Sequence, residues 1–367
     1  MIELPTLELE RPLALLKQCP PYQPTPIKEA TSRNGTRILI KDETSRFNLG
    51  AFKALGGIYA IAAFLLQQWQ EETGTSLEPR RLFDRDVKDW SNRFTFICAS
   101  AGNHGVAVAK GAQLFNARCR VHLSESVPLE FQEKLTDLSA IVMRSGATYE
   151  DSMVAAKLDS GSAGQEDILL SDSSWPGYTR MACLVMEGYT VMAEEMRESL
   201  LETNTWPTHV FLQAGVGGMA AAVAYHIRNT WSQQPEIIVV EPEAAPCLLE
   251  SNKAGTPTAV SGPVSAMGRL DCKEPSLLAF EILQQAADRF VCVSESEADT
   301  AVIHLAESGI ATTPSGAAGM AAMIAAPRLE IGIRENSICL VIATEGYIDL
   351  PVKKSPFNKF KHFLIPN

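Results

Sequence analysis

The chain has 367 residues, of which 46% are hydrophobic and 20% are charged, a composition typical of a globular protein with one large α/β unit or two domains. A formal net charge of −11 argues against a nucleic-acid partner, because nucleic-acid binding requires a basic face. The first residues lack the basic and apolar regions of a signal peptide, and no stretch of about 18 uninterrupted apolar residues occurs, so we expect neither a signal peptide nor a membrane span.

Residues 1–36 are rich in proline, and we expect a loop that wraps the surface. A helix is predicted over 58–70, followed by a charged, irregular surface excursion over 71–92. Further along, apolar strand-like runs alternate with helical segments. The predicted strands are 37–41, 94–98, 119–123, 141–143, 168–170, 209–212, 237–240, 291–293 and 338–343. The predicted helices between them are 106–115, 129–136, 149–157, 180–203 and 219–230. This alternation predicts parallel β-α-β units in doubly wound sheets.

The stretch KDETSRFNLGAFKALGGIYA at 41–60 runs from a predicted strand through a polar turn into an apolar helix. Lys53 stands at the start of that helix, next to Phe52, Ala54 and Leu55. Because an amine in apolar surroundings is costly to keep charged, we expect the pKa of Lys53 to be lowered. A lysine of this kind can form a Schiff base with a carbonyl compound. The residue could equally belong to an amphipathic helix and extend its ammonium group into solvent.

Polar loops follow several predicted strands at their carboxyl ends, where open α/β sheets bind ligands. The segment SAGNHG at 100–105 has two glycines around Asn103, whose amide could donate to an anionic oxygen. Asp172 follows the strand at 168–170, and Thr344 follows the strand at 338–343. Each of these residues could also serve only in a turn or as a helix cap.

The segment QAGVGGM at 213–219 follows a strand and opens an alanine-rich helix. Its glycines would leave backbone N–H groups free to point at an anion, with assistance from the helix dipole, which predicts a phosphate cradle. No GKS or GKT follows, so the segment is not a Walker loop. A dinucleotide-binding interpretation stays open, with Glu241 as its acidic partner.

The cysteines and histidines show no metal-binding pattern. The eight cysteines are scattered singly without a C-x-x-C pair, and the six histidines do not cluster. We therefore expect no metal site and interpret the cysteines as the reduced thiols of a cytoplasmic protein.

Taken together, these segments resemble the fold-type-II pyridoxal-phosphate family, and within it they are most similar to diaminopropionate ammonia-lyase. The resemblance rests on RFNLGAFKALGG, DSSWPGY, MEGYTVMAEE, CKEPSLLAFEIL and TEGYID, and covers residues 25–350. It implies two doubly wound open-sheet α/β domains like those of tryptophan synthase β. We expect a large domain formed by 1–55 and 178–367 and a smaller one formed by 56–177. The resemblance also implies pyridoxal 5'-phosphate as cofactor, a small amino acid as substrate and a homodimer.

The resemblance implies roles by position. Lys53 would hold the cofactor as a Schiff base, Phe52 would lie against its ring, and Asn103 would bond its phenolic oxygen. Thr344 would face the pyridine nitrogen with a neutral hydroxyl, which does not enforce protonation of the ring. The backbone of five residues would hold the phosphate, namely Gly215, Val216, Gly217, Gly218 and Met219. Four residues would line the substrate site, namely Ser100, Ala101, Gly102 and His104.

The implied activity is α,β-elimination from a small L-amino acid, with L-2,3-diaminopropionate converted to pyruvate and ammonia. The Cα proton would pass to Lys53 or Asp172, and Asp172 would protonate or orient the departing β-amino group. The chain departs from the lyase pattern at Ala101, where the resemblance implies an aspartate that helps to deprotonate the D-isomer. Asp172 matches the acidic group associated with the L-isomer, so we expect activity on the L-isomer and lost or weakened activity on the D-isomer.

Three other functions fit the same residues. An L-serine/threonine dehydratase would use the same site with a hydroxyl leaving group, and SAGNHG is closer to the dehydratase pattern. A β-replacement synthase would add a nucleophile to the same aminoacrylate. A non-enzymatic α/β module that binds a nucleotide would show no visible absorbance from a bound cofactor.

Overall fold

Two β-sheets form the framework of the computed structural model, which describes residues 6–32, 35–100, 102–125, 127–162 and 166–347. The strands are β1 (Ile27–Thr31), β2 (Arg37–Asp42), β3 (Thr95–Ala99), β4 (Arg118–Leu123), β5 (Ile141–Arg144), β6 (Asp167–Leu169), β7 (His209–Gln213), β8 (Glu236–Pro242), β9 (Arg289–Val293) and β10 (Ile338–Ala343). One sheet has the order β1-β2-β10-β7-β8-β9, in which β1 is antiparallel to β2 and the other pairs are parallel. The other sheet is parallel with the order β5-β4-β3-β6.

Helices connect the parallel strands and cover the sheets. They are α1 (Arg11–Leu16), α2 (Lys53–Thr73), α3 (Arg85–Ser91), α4 (Asn103–Phe115), α5 (Leu129–Asp137), α6 (Tyr149–Ser162), α7 (Arg180–Thr203), α8 (Gly218–Thr230), α9 (Cys247–Ala254), α10 (Leu277–Ala286), α11 (Glu295–Glu307) and α12 (Pro314–Ile324). The long helix α2 ends at Gly74, which takes the left-handed conformation at φ 71° that favours glycine. None of these helices in the described ranges is long and apolar enough to cross a membrane.

Helix α2 packs between α4 and α7, and small residues allow this close approach. A Cβ at Gly56 would lie 2.5 Å from the Tyr189 ring, and a Cβ at Gly188 would lie 2.6 Å from the Leu55 carbonyl oxygen. On the α4 side, a Cβ at Gly57 would lie within 2.7 Å of Ala107. Larger side chains at these glycines would push the helices apart, so the apolar, glycine-containing sequence suits the first half of α2, which is buried from Ala54 to Leu65. Because α2 begins at Lys53, this packing also sets the position of the Lys53 backbone.

Two sequence predictions about irregular regions are wrong. The region 1–36 contains α1, in which Leu13, Leu15 and Leu16 are buried. Pro12 lies in the first turn of α1, where its missing N–H would have had no partner within the helix. The region also contains β1, an edge strand. The excursion at 71–92 contains α3 and a 3-10 turn at Pro79–Phe83. The helices α9, α10 and α11 were not predicted, whereas the predicted strands and the helix at 180–203 are confirmed.

The sheet topology confirms the predicted fold class, two doubly wound open sheets. The carboxyl ends of β2, β10 and β7 lie side by side in the larger sheet, as do those of β3 and β6 in the smaller sheet. The segments that follow these five strands carry the residues singled out from the sequence. The domain boundaries at residues 55, 56, 177 and 178 stay a prediction.

Candidate active site

The turn that carries Lys53 is held against the end of β10. The Phe52 N–H donates to the Thr344 carbonyl at 3.1 Å, and the Gly346 N–H donates to the Gly50 carbonyl at 2.9 Å. Because these bonds link the segment before α2 to the segment after β10, Lys53 and Thr344 are positioned by one piece of backbone structure.

A buried ionic network around Arg46 stabilises the segment that precedes α2. The Arg46 guanidinium donates to both carboxylate oxygens of Glu43 at 2.6 and 2.7 Å and to both of Glu195 at 2.7 Å. Lys41 donates to Glu195 at 2.6 Å, and Tyr22 donates to it at 2.7 Å. The two cations and two carboxylates are at most 3% exposed, so each buried charge depends on its partners. The network ties the turn to α7.

Lys53 and Asp172 form an ion pair that joins the segment after β2, in the larger sheet, to the segment after β6, in the smaller sheet; the loops around this pair are called the cleft below. The Lys53 amine donates to Asp172 Oδ2 at 2.5 Å, and both side chains are about one-fifth exposed (22% and 19%). Burial is the largest effect on the pKa of Lys53 and lowers it, as expected from its apolar surroundings, but the Asp172 carboxylate together with Tyr189 and Cys272 raises it by more, so the net pKa lies above the ordinary value. The prediction of a lowered pKa is therefore wrong for this arrangement. Burial opposes the charge of Asp172 as well, but Lys53 and His104 hold the pKa of that carboxyl well below its usual range.

Two aromatic rings flank the lysine. The Lys53 amine lies 5.2 Å from the ring centre of Phe52 and 5.5 Å from that of Tyr189. The two rings meet edge to face, with their centres 4.9 Å apart. Tyr189 is fully buried, and its hydroxyl has no hydrogen-bond partner among the described residues. Burial raises the pKa of that hydroxyl, so Tyr189 is a neutral hydroxyl beside Lys53.

His104 is a buried residue that interacts electrostatically with Asp172. Burial lowers the pKa of the imidazole, which keeps the ring neutral. Its Nε2 lies 2.9 Å from the Leu170 carbonyl oxygen, which can only accept, so Nε2 carries the proton. Its Nδ1 is therefore an acceptor, and it is buried without a partner among the described residues.

A second carboxyl group that the sequence analysis did not single out, Glu345, lies between the predicted residues. The Asn103 amide donates to Glu345 Oε2, and the Thr313 hydroxyl donates to Oε1 at 2.6 Å. Burial raises the pKa of Glu345. The neighbouring Thr344 hydroxyl accepts from the Gln213 amide at 3.3 Å, which leaves the hydroxyl proton of Thr344 available for another acceptor.

The glycine loop between β7 and α8 forms a cradle. Gly217 takes φ 99° at the N-cap of α8, and no side chain caps the helix, so its first N–H groups face outward. A Cβ on Gly215 would lie 2.8 Å from Cys272 Sγ, and one on Gly218 would lie 3.6 Å from the Asp172 carbonyl oxygen. The cradle is thus next to the segment that carries Asp172. Met219 is buried in the first turn of α8.

The remaining predicted residues lie in the loop before α4. The Gly102 N–H donates to Ser100 Oγ at 3.2 Å, and Gly102 is the N-cap of α4. Ala101 lies outside the described residues. The structure therefore brings the other predicted residues to one cleft, while their individual roles stay predictions. Tyr189, Glu345 and Arg269 also reach this cleft; Glu345 follows Thr344 directly in the sequence, and that proximity was the signal that could have found it.

The side chains in the cleft fit pyridoxal phosphate. Lys53 offers an amine that reacts with an aldehyde, and Phe52 offers an aromatic face. The unpartnered, buried Tyr189 hydroxyl and the glycine-lined start of α8 offer donors for an anion. These features supply a covalent anchor, a ring contact and a phosphate cradle in one place.

Comparison with protein families also indicates pyridoxal phosphate as the cofactor. The family model described as pyridoxal-phosphate dependent enzyme matches residues 19–345. The chain belongs to this family. The family depends on pyridoxal phosphate, and the match includes all residues from Lys53 to Thr344. This chain is therefore a pyridoxal-phosphate-dependent enzyme.

Individual relatives show which enzymes of the family are similar to this chain. Diaminopropionate ammonia-lyase of Escherichia coli K12 is 30% identical over 364 residues, which cover 94% of this chain and 90% of the relative. The crystal structure of the Escherichia coli lyase in complex with D-serine has a TM-score of 0.83 and 29% identity, with 95% of this chain and 92% of that chain covered. The L-threonine ammonia-lyase of Thermotoga maritima is 26% identical over 264 residues, with 72% and 61% covered. The predicted resemblance is confirmed.

Proposed function

We propose that the chain catalyses pyridoxal-phosphate-dependent α,β-elimination from a small L-amino acid, with L-2,3-diaminopropionate converted to pyruvate and ammonia. The observation that carries the proposal is the Lys53–Asp172 pair, 2.5 Å apart beside a glycine-lined helix start. The relatives named diaminopropionate ammonia-lyase, which align over most of the chain, support the choice of reaction.

Residues of the cleft would hold the cofactor in the predicted way. Lys53 would attach it covalently, with Phe52 against the ring and Asn103 at its phenolic oxygen. Thr344 would donate to the pyridine nitrogen, because the Gln213 amide already occupies an acceptor position of its hydroxyl. The phosphate would lie in the cradle formed by Gly215, Val216, Gly217, Gly218 and Met219. When bound, the cofactor supplies the electron sink for a carbanion at Cα.

Two side chains of the chain itself would handle protons. The Lys53 amine would take the proton from Cα of the substrate. Asp172 is a carboxylate in its pair with Lys53, so it would orient the β-amino group as that group departs, or protonate it only after it has itself taken up a proton. His104 keeps its proton on Nε2 and presents an unprotonated Nδ1, so it does not donate a proton toward Asp172 from that nitrogen.

We also propose that the enzyme prefers the L-isomer. Asp172 is present and paired with Lys53, whereas position 101 carries a methyl group in place of a carboxylate. The test measures pyruvate and ammonia release from L- and D-2,3-diaminopropionate by the holoenzyme. We expect turnover of the L-isomer alone or far faster, and comparable rates on the D-isomer would contradict the proposal.

The same assay tests each part of the site. Lys53→Ala should abolish turnover, and Asp172→Asn should reduce it by about 10²- to 10⁴-fold, the usual contribution of a positioned acid or base. Asp288→Asn is the matched control, because Asp288 pairs with Arg228 on the surface. Full activity of the Asp172 variant would remove Asp172 from the mechanism.

A second candidate is an L-serine/threonine dehydratase, in which a hydroxyl replaces the β-amino group. The alignment with the L-threonine ammonia-lyase of Thermotoga maritima favours keeping this alternative. L-Serine and L-threonine in the same assay, read as 2-oxoacid release, decide between the two. Faster turnover of either hydroxy amino acid than of L-2,3-diaminopropionate would replace the primary proposal.

We further propose that the protein is a cytoplasmic homodimer with domains at 1–55 plus 178–367 and 56–177. The arrangement of the strands in two separate sheets supports the domain boundaries. All eight cysteines are free thiols, as expected in a reducing compartment. The family resemblance supports the dimer, and the molar mass in solution tests it.

A further inference from the structure

Two buried serines join the segment that carries Asp172 to the start of α10. Ser174 follows Asp172 by two residues, and Ser276 is the N-cap residue of α10; both side chains are buried. The two hydroxyl oxygens lie 2.7 Å apart, and the Ser174 N–H donates to Ser276 Oγ at 3.0 Å. The Leu277 N–H donates to the Ser174 carbonyl at 3.0 Å. These bonds connect the segment after β6, in the smaller sheet, to a helix that precedes β9, in the larger sheet.

The cap of α10 is supplied by this distant segment. An N-cap serine ordinarily accepts a hydrogen bond from the first turn of its own helix, but the Ser276 side chain makes no such bond. Ser174 takes that place, because the Leu278 N–H donates to Ser174 Oγ at 2.9 Å. The two serines are 102 residues apart in the sequence, so this cap forms only when the segment that carries Asp172 is in place.

The start of α10 is also attached to the glycine loop between β7 and α8. The Ser276 N–H donates to the Val216 carbonyl at 2.9 Å. A Cβ on Gly217 would lie 3.1 Å from the Cβ of Ala279, which is in the first turn of α10. The start of α10 therefore holds the glycine loop and the segment that carries Asp172 in one arrangement.

We propose that Ser276 is a positioning residue that acts through Ser174 to hold Asp172 at Lys53; this role rests on the function proposed above. The hydrogen bonds of Ser276 go to Ser174 and to the glycine loop, so its effect on Lys53 passes through the position of Asp172. In Ser276→Ala the Ser174 N–H would lose its acceptor. Because a buried donor without a partner is costly, the segment should shift toward another partner and carry Asp172 with it.

Capture of pyridoxal phosphate by the full chain, freed of cofactor, reports on the pair of Lys53 and Asp172, because only the neutral amine attacks the aldehyde. In Ser276→Ala the weaker pair should leave more of the amine neutral. Capture at about pH 8 should then be about fivefold faster, the effect of one hydrogen bond, and the profile of rate against pH should move to lower pH. In the Asp172→Asn background, adding Ser276→Ala should change the rate by less than about twofold. Tyr189 and Cys272, which also raise the pKa of Lys53, are present in all of these proteins.

Two further variants support the comparison. Ser174→Ala removes the hydroxyl that caps α10 and should also speed capture, so the proposal remains testable if Ser276→Ala does not fold. Ser91→Ala is the matched control, because it removes a buried serine hydroxyl that donates to the Val87 carbonyl within α3. Its capture rate and pH profile should match those of the wild type.

Other outcomes overturn the proposal. Unchanged profiles in Ser276→Ala and Ser174→Ala would show that Asp172 keeps its place without the serine pair. Equal changes with and without the Asp172 carboxylate, or slower capture at every pH, would assign the pair a purely structural role in supporting the glycine loop. A wild-type protein that captures no pyridoxal phosphate would instead overturn the proposed function, and this role with it.

Discussion

Replacing Asp172 by asparagine removes the charge that keeps the Lys53 amine protonated. The carboxylate lies 2.5 Å from the amine and is the main group that raises the pKa of Lys53 against the lowering effect of burial. An opposite charge this close shifts a pKa by about 1–3 units, so in Asp172→Asn the pKa of Lys53 should fall by that amount. Because only the neutral amine attacks an aldehyde, the rate of cofactor capture at about pH 8 should rise about 10- to 1000-fold.

The assay uses protein from which the cofactor has been removed. Pyridoxal phosphate is added across a series of pH values, and the growth of visible absorbance is followed for the wild type, Asp172→Asn and the control Asp288→Asn. The midpoint of the rate profile should move to lower pH only in Asp172→Asn, even though this variant loses turnover. A slower capture rate, or a midpoint at or above that of the wild type, would refute the reasoning about this ion pair.

Three further predictions concern stability, each measured by chemical denaturation. Arg46→Met should cost about 3–5 kcal/mol, because it leaves the buried carboxylate of Glu195 short of a partner, and a loss below about 1 kcal/mol would contradict the role of the network. Gly188→Ala should cost about 1–3 kcal/mol, since the new methyl would lie 2.6 Å from the Leu55 carbonyl oxygen; an unchanged midpoint would show that α2 and α7 can separate freely. Ser294→Ala removes the hydroxyl of the capping box of α11 and should cost about 1 kcal/mol, and no loss would show that the cap is dispensable.

The strands and the loops at their carboxyl ends could be predicted because apolar runs and glycine-containing turns are local signals. Asp172 and Thr344 were found by their position after such runs, and Lys53 by its position at the start of an apolar helix. The pKa of Lys53 could not be predicted, because its direction depends on Asp172, which is 119 residues away in the sequence. The local sequence pattern shows the apolar neighbours of Lys53 but not the charge of Asp172.

The other omissions have the same origin. Tyr189 lies in the middle of α7 and reaches Lys53 only because the glycines of α2 and α7 let the helices approach closely. Arg269 stands in an irregular segment with no periodic pattern, and its contact with Gly102 spans much of the chain. The helix α1 was overlooked because its proline suggested a loop, although proline is well tolerated in a first turn.

The central claim is that Lys53 carries the cofactor. The direct measurement is borohydride reduction of the protein with bound pyridoxal phosphate, followed by proteolysis and mass spectrometry of the modified peptide. We predict one phosphopyridoxyl group on Lys53 and none on the Lys53→Ala variant. A protein that remains colourless with added pyridoxal phosphate, or a modification at another lysine, would contradict the account.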